Sequence, residues 1–128
     1  MSDKAKKIIL IVEDEHPLSE AISEYLEHAG YVAKTAFSGM EALKVLGTLT
    51  PDLILLDIVL PEMNGVTFLK TIQQGSPAPF KNIPVIVFSN LVGEKAWIEE
   101  MGLHVADYLV KANSSLAEVA ARVKKILE

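Results

Sequence analysis

Residues 53–57 read LILLD, an apolar run that ends on a carboxylate. Near the start of the chain, residues 8–15 read IILIVEDE and repeat the pattern. Continuous apolar runs of this length are typical of strands that are buried on both faces of a parallel sheet. Ligands bind at the carboxyl ends of the strands in an open α/β sheet, so we expect the acids that end both runs to share one site.

Strand and helix patterns alternate five times along the chain, with 53–57 as the third strand. Further runs of strand character lie at residues 32–36, 85–88 and 108–110. Helical periodicity, bounded by capping residues or glycine, predicts helices at 18–29, 38–47, 66–74, 94–101 and 115–127. Ser38 with Glu41, and Ser115 with Glu118, have the spacing of a capping box. The alternation predicts a parallel sheet covered on both faces, with right-handed crossovers and the more polar 32–36 strand at an edge.

The size of the chain predicts a single domain. At 128 residues and 14.0 kDa it is long enough to bury a core. We expect one domain over residues 1–128, with a flexible lead-in at 1–6 and no output domain. The apolar run at 8–12 is too short for an export signal or a membrane segment, which predicts a soluble, cytoplasmic protein without a membrane partner.

Composition excludes several classes of function. The net charge is −5 and the acids and bases are interleaved, which argues against nucleic-acid binding through a basic face. The chain has no cysteine, so disulfides, thiolate zinc sites and cysteine catalysis are excluded. Three scattered histidines do not suggest a zinc site, and we interpret Glu15 and His16 as solvated residues that open the first helix.

Polar side chains follow four of the five predicted strands: Glu13, Asp14, Asp57, Ser89 and Lys111. In a doubly wound sheet these strand ends share one rim. Clustered carboxylates raise the pKa of one another unless a cation neutralises them, and a set of oxygen ligands favours Mg²⁺ over zinc. A carboxylate in such a site can accept a phosphoryl group and form an acyl phosphate. Lysine can balance the charge there, and serine can donate a hydrogen bond to a phosphoryl oxygen.

These residues resemble the response-regulator receiver domain, of the stand-alone kind found in chemotaxis. The resemblance rests on Glu13-Asp14, on Asp57 with Pro61 and Gly65 downstream, on Ser89, and on the run Tyr108-Leu109-Val110-Lys111. It covers essentially the whole chain. It implies a flavodoxin-like, doubly wound (βα)5 fold with a five-stranded parallel sheet in the order 2-1-3-4-5.

The resemblance also implies a role for each site residue. Asp57 would be the phosphoacceptor, supplied by a sensor histidine kinase or a phosphotransfer protein. Lys111 and Ser89 would contact the phosphoryl group, and Ser89 with Tyr108 would form the switch. Mg²⁺ would be held by Glu13, Asp14, Asp57 and the backbone carbonyl of Val59.

The resemblance implies partners as well. A downstream protein would dock on the face formed by the fourth helix, the fifth strand and the last helix, and the receiver would be a monomer or a phosphorylation-dependent dimer. Trp97 lies on the predicted fourth helix, where it either covers the core or anchors this partner. Both interpretations are open at this stage.

The sequence departs from the usual receiver pattern at several positions. Ala112 stands where a proline usually follows the lysine, and Asn90 replaces the usual small residue after the hydroxyl. Asn90 is therefore expected to crowd the phosphoryl site or to form a hydrogen bond there. His104 stands where a glycine is common before the fifth strand. Val59 and Leu91 are both apolar, and we predict that they hinder an attacking water and lengthen the phosphorylated lifetime.

Three functions compete at this stage. The first is a phosphorylation-activated switch that signals by docking or passes its phosphoryl group onward. The second is a non-phosphorylated interaction module of receiver shape, which Ala112 and Asn90 leave open. The third is an aspartyl phosphohydrolase, but such enzymes carry a second aspartate two residues after the nucleophile, where this chain has Val59. A nucleotide-binding protein is disfavoured because no glycine-rich loop follows the first strand.

Overall fold

The computed structural model describes residues 5–75, 80–90 and 93–128. Five parallel strands form one sheet: β1 (Ile8–Val12), β2 (Val32–Ala36), β3 (Leu53–Leu56), β4 (Val85–Ser89) and β5 (Asp107–Val110). Five helices follow them in turn: α1 (His16–His28), α2 (Gly39–Leu46), α3 (Gly65–Gln74), α4 (Glu94–Glu100) and α5 (Leu116–Leu127). The strand order is β2-β1-β3-β4-β5, which confirms the predicted topology.

Side chains alternate between two buried clusters, one on each face of the sheet. Within β1, Leu10 and Val12 face the cluster covered by α2, α3 and α4, whereas Ile9 and Ile11 face the cluster under α1 and α5. This period of two is what a strand imposes on its side chains. All four residues are 0% exposed, so the continuous apolar run in the sequence does correspond to a strand buried on both faces.

The serine half of each predicted capping box forms, whereas the Glu41 carboxylate accepts from the Phe37 N–H and not from the Ser38 N–H. The Ser38 hydroxyl oxygen accepts a hydrogen bond from the Glu41 N–H, and Ser115 accepts one from the Glu118 N–H, both at 3.1 Å. These bonds satisfy backbone donors that the first turn of a helix leaves without an internal partner. The starts of α2 and α5 could therefore be predicted from four side chains.

Several predicted boundaries were wrong by one or two residues. Helix α1 begins at His16 and not at residue 18, because the fixed φ of Pro17 suits the first helical turn. Strand β3 ends at Leu56, since the carboxylate of Asp57 accepts the Val59 N–H and turns the chain out of the sheet. The prediction also missed a short 3₁₀ turn, Lys111–Asn113, directly after β5.

Smaller boundary differences occur in the second half of the chain. Helix α3 begins one residue early, at Gly65, because Asn64 caps it, and β4 extends to Ser89, which pairs with Val110. Helix α4 ends at Glu100, and β5 begins at Asp107. None of the helices within the described ranges has the length and hydropathy needed to cross a bilayer.

Ser19 is a buried polar group that the fold leaves unsatisfied. It is 1% exposed on α1, and its hydroxyl has no hydrogen-bond partner among the described residues. A buried hydroxyl without a partner keeps its desolvation cost, and alanine has the higher helix propensity. We therefore expect Ser19→Ala to raise the free energy of unfolding by about 1 kcal/mol in urea titrations.

Ser23 provides the matched control, because it lies on the same helix and is less buried. Ser23→Ala reports the gain in helix propensity alone, which is about 0.5 kcal/mol. A Ser19→Ala variant that is less stable than the wild type would show that the hydroxyl has a partner and would contradict the interpretation.

Candidate functional site

The carboxyl ends of the strands bring the predicted site residues to one rim of the sheet. The Asp57 N–H donates to the Val12 carbonyl at 3.0 Å, which places the residues that follow β1 and β3 side by side. In the neighbouring pair of strands, Ser89 of β4 is in register with Val110 of β5, so Lys111 follows directly. A cavity of about 290 Å³ lies at this rim, lined by Asp14, Glu15, Asp57, Val59, Ser89, Asn90 and Lys111.

Lys111 binds two buried carboxylates at once. Its Nζ lies 2.6 Å from Glu13 Oε1 and 2.7 Å from Asp57 Oδ2. Glu13 is 2% exposed and Asp57 is 4% exposed. Removing a carboxylate from water is costly unless a charge or a hydrogen bond compensates. One ammonium group therefore allows both acids to be buried at the strand ends.

Burial and pairing shift the pKa values of this group in identifiable directions. Burial raises the pKa of Glu13, and hydrogen bonds from Lys111 and from the Glu15 N–H oppose this rise without cancelling it. Burial would lower the pKa of Lys111, but its hydrogen bonds to Asp57 and Glu13 prevail and raise that pKa. Lys111 therefore stays charged between the two acids at neutral pH.

The acids at the rim are also arranged as a set of ligands. One carboxylate oxygen from each of Glu13, Asp14 and Asp57 lies within 4.8 Å of the other two. Asp14 is exposed, and its carboxylate makes no hydrogen bond to any of the residues described. Three carboxylates face one lysine, so negative charge is in excess. An oxygen-only set with this charge fits a hard divalent cation such as Mg²⁺.

The loop after β3 holds Asp57 tightly against α3. Asp57 Oδ1 accepts a hydrogen bond from the Val59 N–H at 3.0 Å, and the Gly65 N–H donates to the Ile58 carbonyl at 2.8 Å. Asn64 caps α3, its side-chain oxygen accepting from the Thr67 N–H at 2.8 Å. A Cβ at position 65 would lie 2.6 Å from the Asp57 carbonyl oxygen, so only glycine fits. The Asn64-Gly65 pair is therefore part of the site.

The family model of the response regulator receiver domain matches residues 9–124. This chain belongs to the response regulator receiver family. The match covers all of the sheet except Ile8, together with the complete acid and lysine set, so the resemblance stated from the sequence is confirmed. The chain is thus a receiver domain of two-component response regulators.

Two transcriptional regulatory proteins are similar to nearly the whole chain. The transcriptional regulatory protein YcbL of Bacillus subtilis is 38% identical over 115 residues, which are 90% of this chain and 48% of YcbL. CrdR of Helicobacter pylori is 36% identical over 120 residues, which are 94% of this chain and 54% of CrdR. This chain therefore spans about half the length of these two regulatory proteins.

A solved structure extends the similarity to the fold. The response regulator protein TrrA of Thermotoga maritima, in complex with Mg²⁺-BeF, is 30% identical and gives a TM-score of 0.79. The similarity covers 94% of this chain and 99% of the TrrA chain. The two receivers therefore share one architecture from end to end.

The predicted switch residues of the receiver lie on neighbouring strands. Ser89 is 2% exposed at the end of β4, and half-buried Tyr108 lies in β5. Both line a second cavity of about 170 Å³ between α4 and β5. The Lys95 Nζ lies 5.6 Å from the centroid of the Tyr108 ring, a cation–π contact that joins α4 to β5.

Trp97 lies on α4 with 53% of its surface exposed. The interpretation that it covers the core is therefore wrong, and Ile98, its fully buried neighbour, has that role. The interpretation that Trp97 anchors a partner stays a prediction. Glu15 and His16 are exposed as expected, and the His16 ring stacks on Phe37 with a centroid distance of 3.7 Å.

Three contacts in the receiver were missed or only partly predicted from the sequence. Lys111 pairs with Glu13 as well as with Asp57. The Asn90 Oδ1 accepts a hydrogen bond from the Ala112 N–H at 2.8 Å, a contact that was not predicted, and its effect on the phosphoryl site stays a prediction. Gln73 bonds both the N–H and the carbonyl of His104, at 2.8 and 2.7 Å. The contacts of Asn90 with Ala112 and of Gln73 with His104 had one indication in the sequence, which is that positions 90, 104 and 112 depart from the family pattern.

Proposed function

We propose that this receiver is a phosphorylation-activated switch in which Asp57 accepts a phosphoryl group with the help of Mg²⁺. The donor is a phosphohistidine on a sensor histidine kinase or a phosphotransfer protein. The observation that carries this proposal is the contact of Lys111 with the buried carboxylates of Glu13 and Asp57. The exposed carboxylate of Asp14 lies beside them, at the same ends of the strands. TrrA, which has the same architecture, was solved with Mg²⁺-BeF.

The residues of the site have distinct tasks in the transfer. A carboxylate oxygen of Asp57 attacks the phosphorus, the P–N bond breaks, and the imidazole leaves with the electron pair. The Val59 N–H, bonded to Asp57 Oδ1, fixes the orientation of the nucleophile. Lys111 supplies positive charge to the transferred phosphoryl oxygens, and the Ser89 hydroxyl donates a hydrogen bond to one of them.

A divalent cation would complete the charge balance of this site. Asp14, Asp57 and the backbone carbonyl of Val59, with Glu13 beside them, would hold Mg²⁺, which supplies positive charge to the transferred group when bound. The reaction is a transfer that modifies the protein itself, so we propose a switch and not an enzyme with an external substrate.

Phosphorylation would shift an existing equilibrium between two states. The new group adds about −1.5 to −2 charges if it resembles other phosphorylated side chains. We propose that Ser89 and Tyr108 move together in response and that the face formed by α4, β5 and α5 then docks a downstream protein. Exposed Trp97 is the candidate anchor on that face.

The phosphorylated lifetime stays a prediction. Val59 is 56% exposed and lines the cavity beside Asp57, where an attacking water would enter. Leu91, the other apolar position expected to slow hydrolysis, lies outside the described residues. The proposed long lifetime therefore rests on Val59 for its structural support.

Intact-mass spectrometry tests the proposed function. We expect the protein to gain one phosphoryl group from acetyl phosphate when Mg²⁺ is present, and to gain none in EDTA or after Asp57→Asn. Asp52→Asn is the matched control, because Asp52 lies just before the opposite end of β3 and bonds the Ile8 N–H there. It should gain the group like the wild type. A wild type that binds Mg²⁺ but gains no group would favour the interaction module instead.

A further inference from the structure

Asn90 joins the ends of β4 and β5 beyond the last paired residues of the two strands. Ser89 and Val110 are in register within the sheet, and Asn90 follows Ser89 directly. Its Oδ1 accepts a hydrogen bond from the Ala112 N–H at 2.8 Å. The side chain thus connects β4 to the residue that comes just after Lys111.

The turn that carries Lys111 has a weak hydrogen bond of its own. Lys111–Asn113 is a single 3₁₀ turn, and the bond from the Ser114 N–H to the Lys111 carbonyl is 3.4 Å long. Hydrogen bonds of this type usually measure about 2.7–3.2 Å. The first N–H groups of any helical turn have no partner within the turn. Asn90, which directly follows β4, supplies one of these partners, as a capping side chain does.

The contacts of the Lys111 side chain depend on the position of this turn. Its ammonium group lies 2.6 Å from Glu13 and 2.7 Å from Asp57, so a displacement of the backbone would disturb both contacts. Ala112 makes the connection to Asn90 possible, because a proline at this position would have no N–H to donate. Asn90 also lines the cavity beside Asp57, so the connection borders the space that a phosphodonor would enter.

We propose that Asn90 is a positioning residue that holds the Lys111 turn in place for phosphoryl transfer to Asp57, an inference that rests on the proposed function. It acts through the Ala112 N–H and not by contact with the transferred group. The role needs both an amide side chain at 90 and a residue with an N–H at 112, and this chain has both.

The first test compares the rate of phosphorylation with the affinity for Mg²⁺. With saturating Mg²⁺ and acetyl phosphate, we expect Asn90→Ala to slow phosphorylation about fivefold, the effect that one hydrogen bond supports. The Kd for Mg²⁺, measured by calorimetry, should not rise, because Asp14 and Asp57 follow other strands and a displaced Lys111 would leave more negative charge beside the cation. Asn113→Ala is the control, since Asn113 is an exposed asparagine in the same turn whose side chain has no bond to the described residues.

The second test asks whether Asn90 acts through Ala112. The Ala112→Pro background lacks the N–H, so adding Asn90→Ala there should cause no further slowing. Equal slowing in both backgrounds would overturn the proposal and show that Asn90 contacts the donor directly. An Asn90→Ala protein that is phosphorylated at the wild-type rate would overturn this inference but not the proposed function. A wild type that takes up no phosphoryl group would overturn the proposed function, and this inference with it.

Discussion

Replacing Lys111 with methionine is expected to lower the free energy of unfolding by about 3–5 kcal/mol, the usual cost of removing one partner of a buried ion pair. Glu13 and Asp57 are only 2% and 4% exposed, and the substitution would remove the ammonium group that contacts both carboxylates. A domain of this size is stable by about 5–15 kcal/mol, so the loss would be a large share of the total. Urea unfolding at neutral pH measures it directly.

The loss should also depend on pH. The pKa of Glu13 is already raised by burial, and without Lys111 the neighbouring Asp57 charge would raise it further. A carboxyl with a raised pKa in the folded state stabilises the fold below its unfolded pKa, and this contribution disappears as pH rises through the folded pKa. The Lys111→Met protein should therefore regain stability, relative to the wild type, as pH falls toward the ordinary glutamate range.

Two comparisons decide whether the buried acids cause the loss. Lys70→Met removes an exposed lysine on α3 and should change the stability by no more than about 0.5 kcal/mol. Adding Glu13→Gln to Lys111→Met should recover part of the loss, because it removes one of the two unpaired charges. If Lys111→Met were no more costly than Lys70→Met, the lysine would not be what allows the acids to be buried.

Gly65→Ala is expected to cost about 1–3 kcal/mol and to weaken the site at the same time. The added Cβ would lie 2.6 Å from both the Asp57 carbonyl oxygen and the Ile58 Cα, and these backbone atoms cannot give way without moving Asp57. Mg²⁺ affinity and the rate of phosphorylation should therefore fall together with the free energy of unfolding. Urea titration, calorimetry and intact mass measure the three effects.

Gly39→Ala is the matched control for this substitution. Gly39 and Gly65 are both buried and both are the first residue of a helix. A Cβ at position 39 would lie 3.0 Å from the Met63 sulfur and 3.2 Å from its Cβ and Cγ, so Met63 would have to shift slightly, whereas at position 65 the added Cβ would meet backbone atoms. Gly39→Ala should therefore cost clearly less than Gly65→Ala, and equal losses at the two positions would contradict the steric account.

Much of the fold could be predicted because the local sequence patterns indicate the same strands and helices that the folded chain contains. The apolar runs at 8–12 and 53–56 are central strands, and the serines at 38 and 115 cap the helices as their spacing indicates. The acids at the strand ends converge because parallel strands place their carboxyl ends at one rim. The main features of the site thus followed from the position of each residue relative to a strand.

The remaining features depend on contacts between distant segments, which no local pattern encodes. Asn90 and Ala112 meet only because β4 and β5 are neighbours in the sheet. Trp97 could not be placed from the pattern, because α4 has only seven residues and its apolar face is short. Ser19 resembles a surface residue in the sequence, yet α1 buries it. At these positions, tertiary packing determines where the side chain lies, and the residue type does not.

Locating the phosphoryl group on the chain tests the central claim most directly. Borohydride reduces an aspartyl phosphate to homoserine, and peptide mass spectrometry then identifies the modified position. After treatment with acetyl phosphate and Mg²⁺, we expect homoserine at position 57 and nowhere else. Homoserine at position 14, or a phosphate that resists borohydride at Ser89 or His16, would contradict the assignment of Asp57 as the phosphoacceptor.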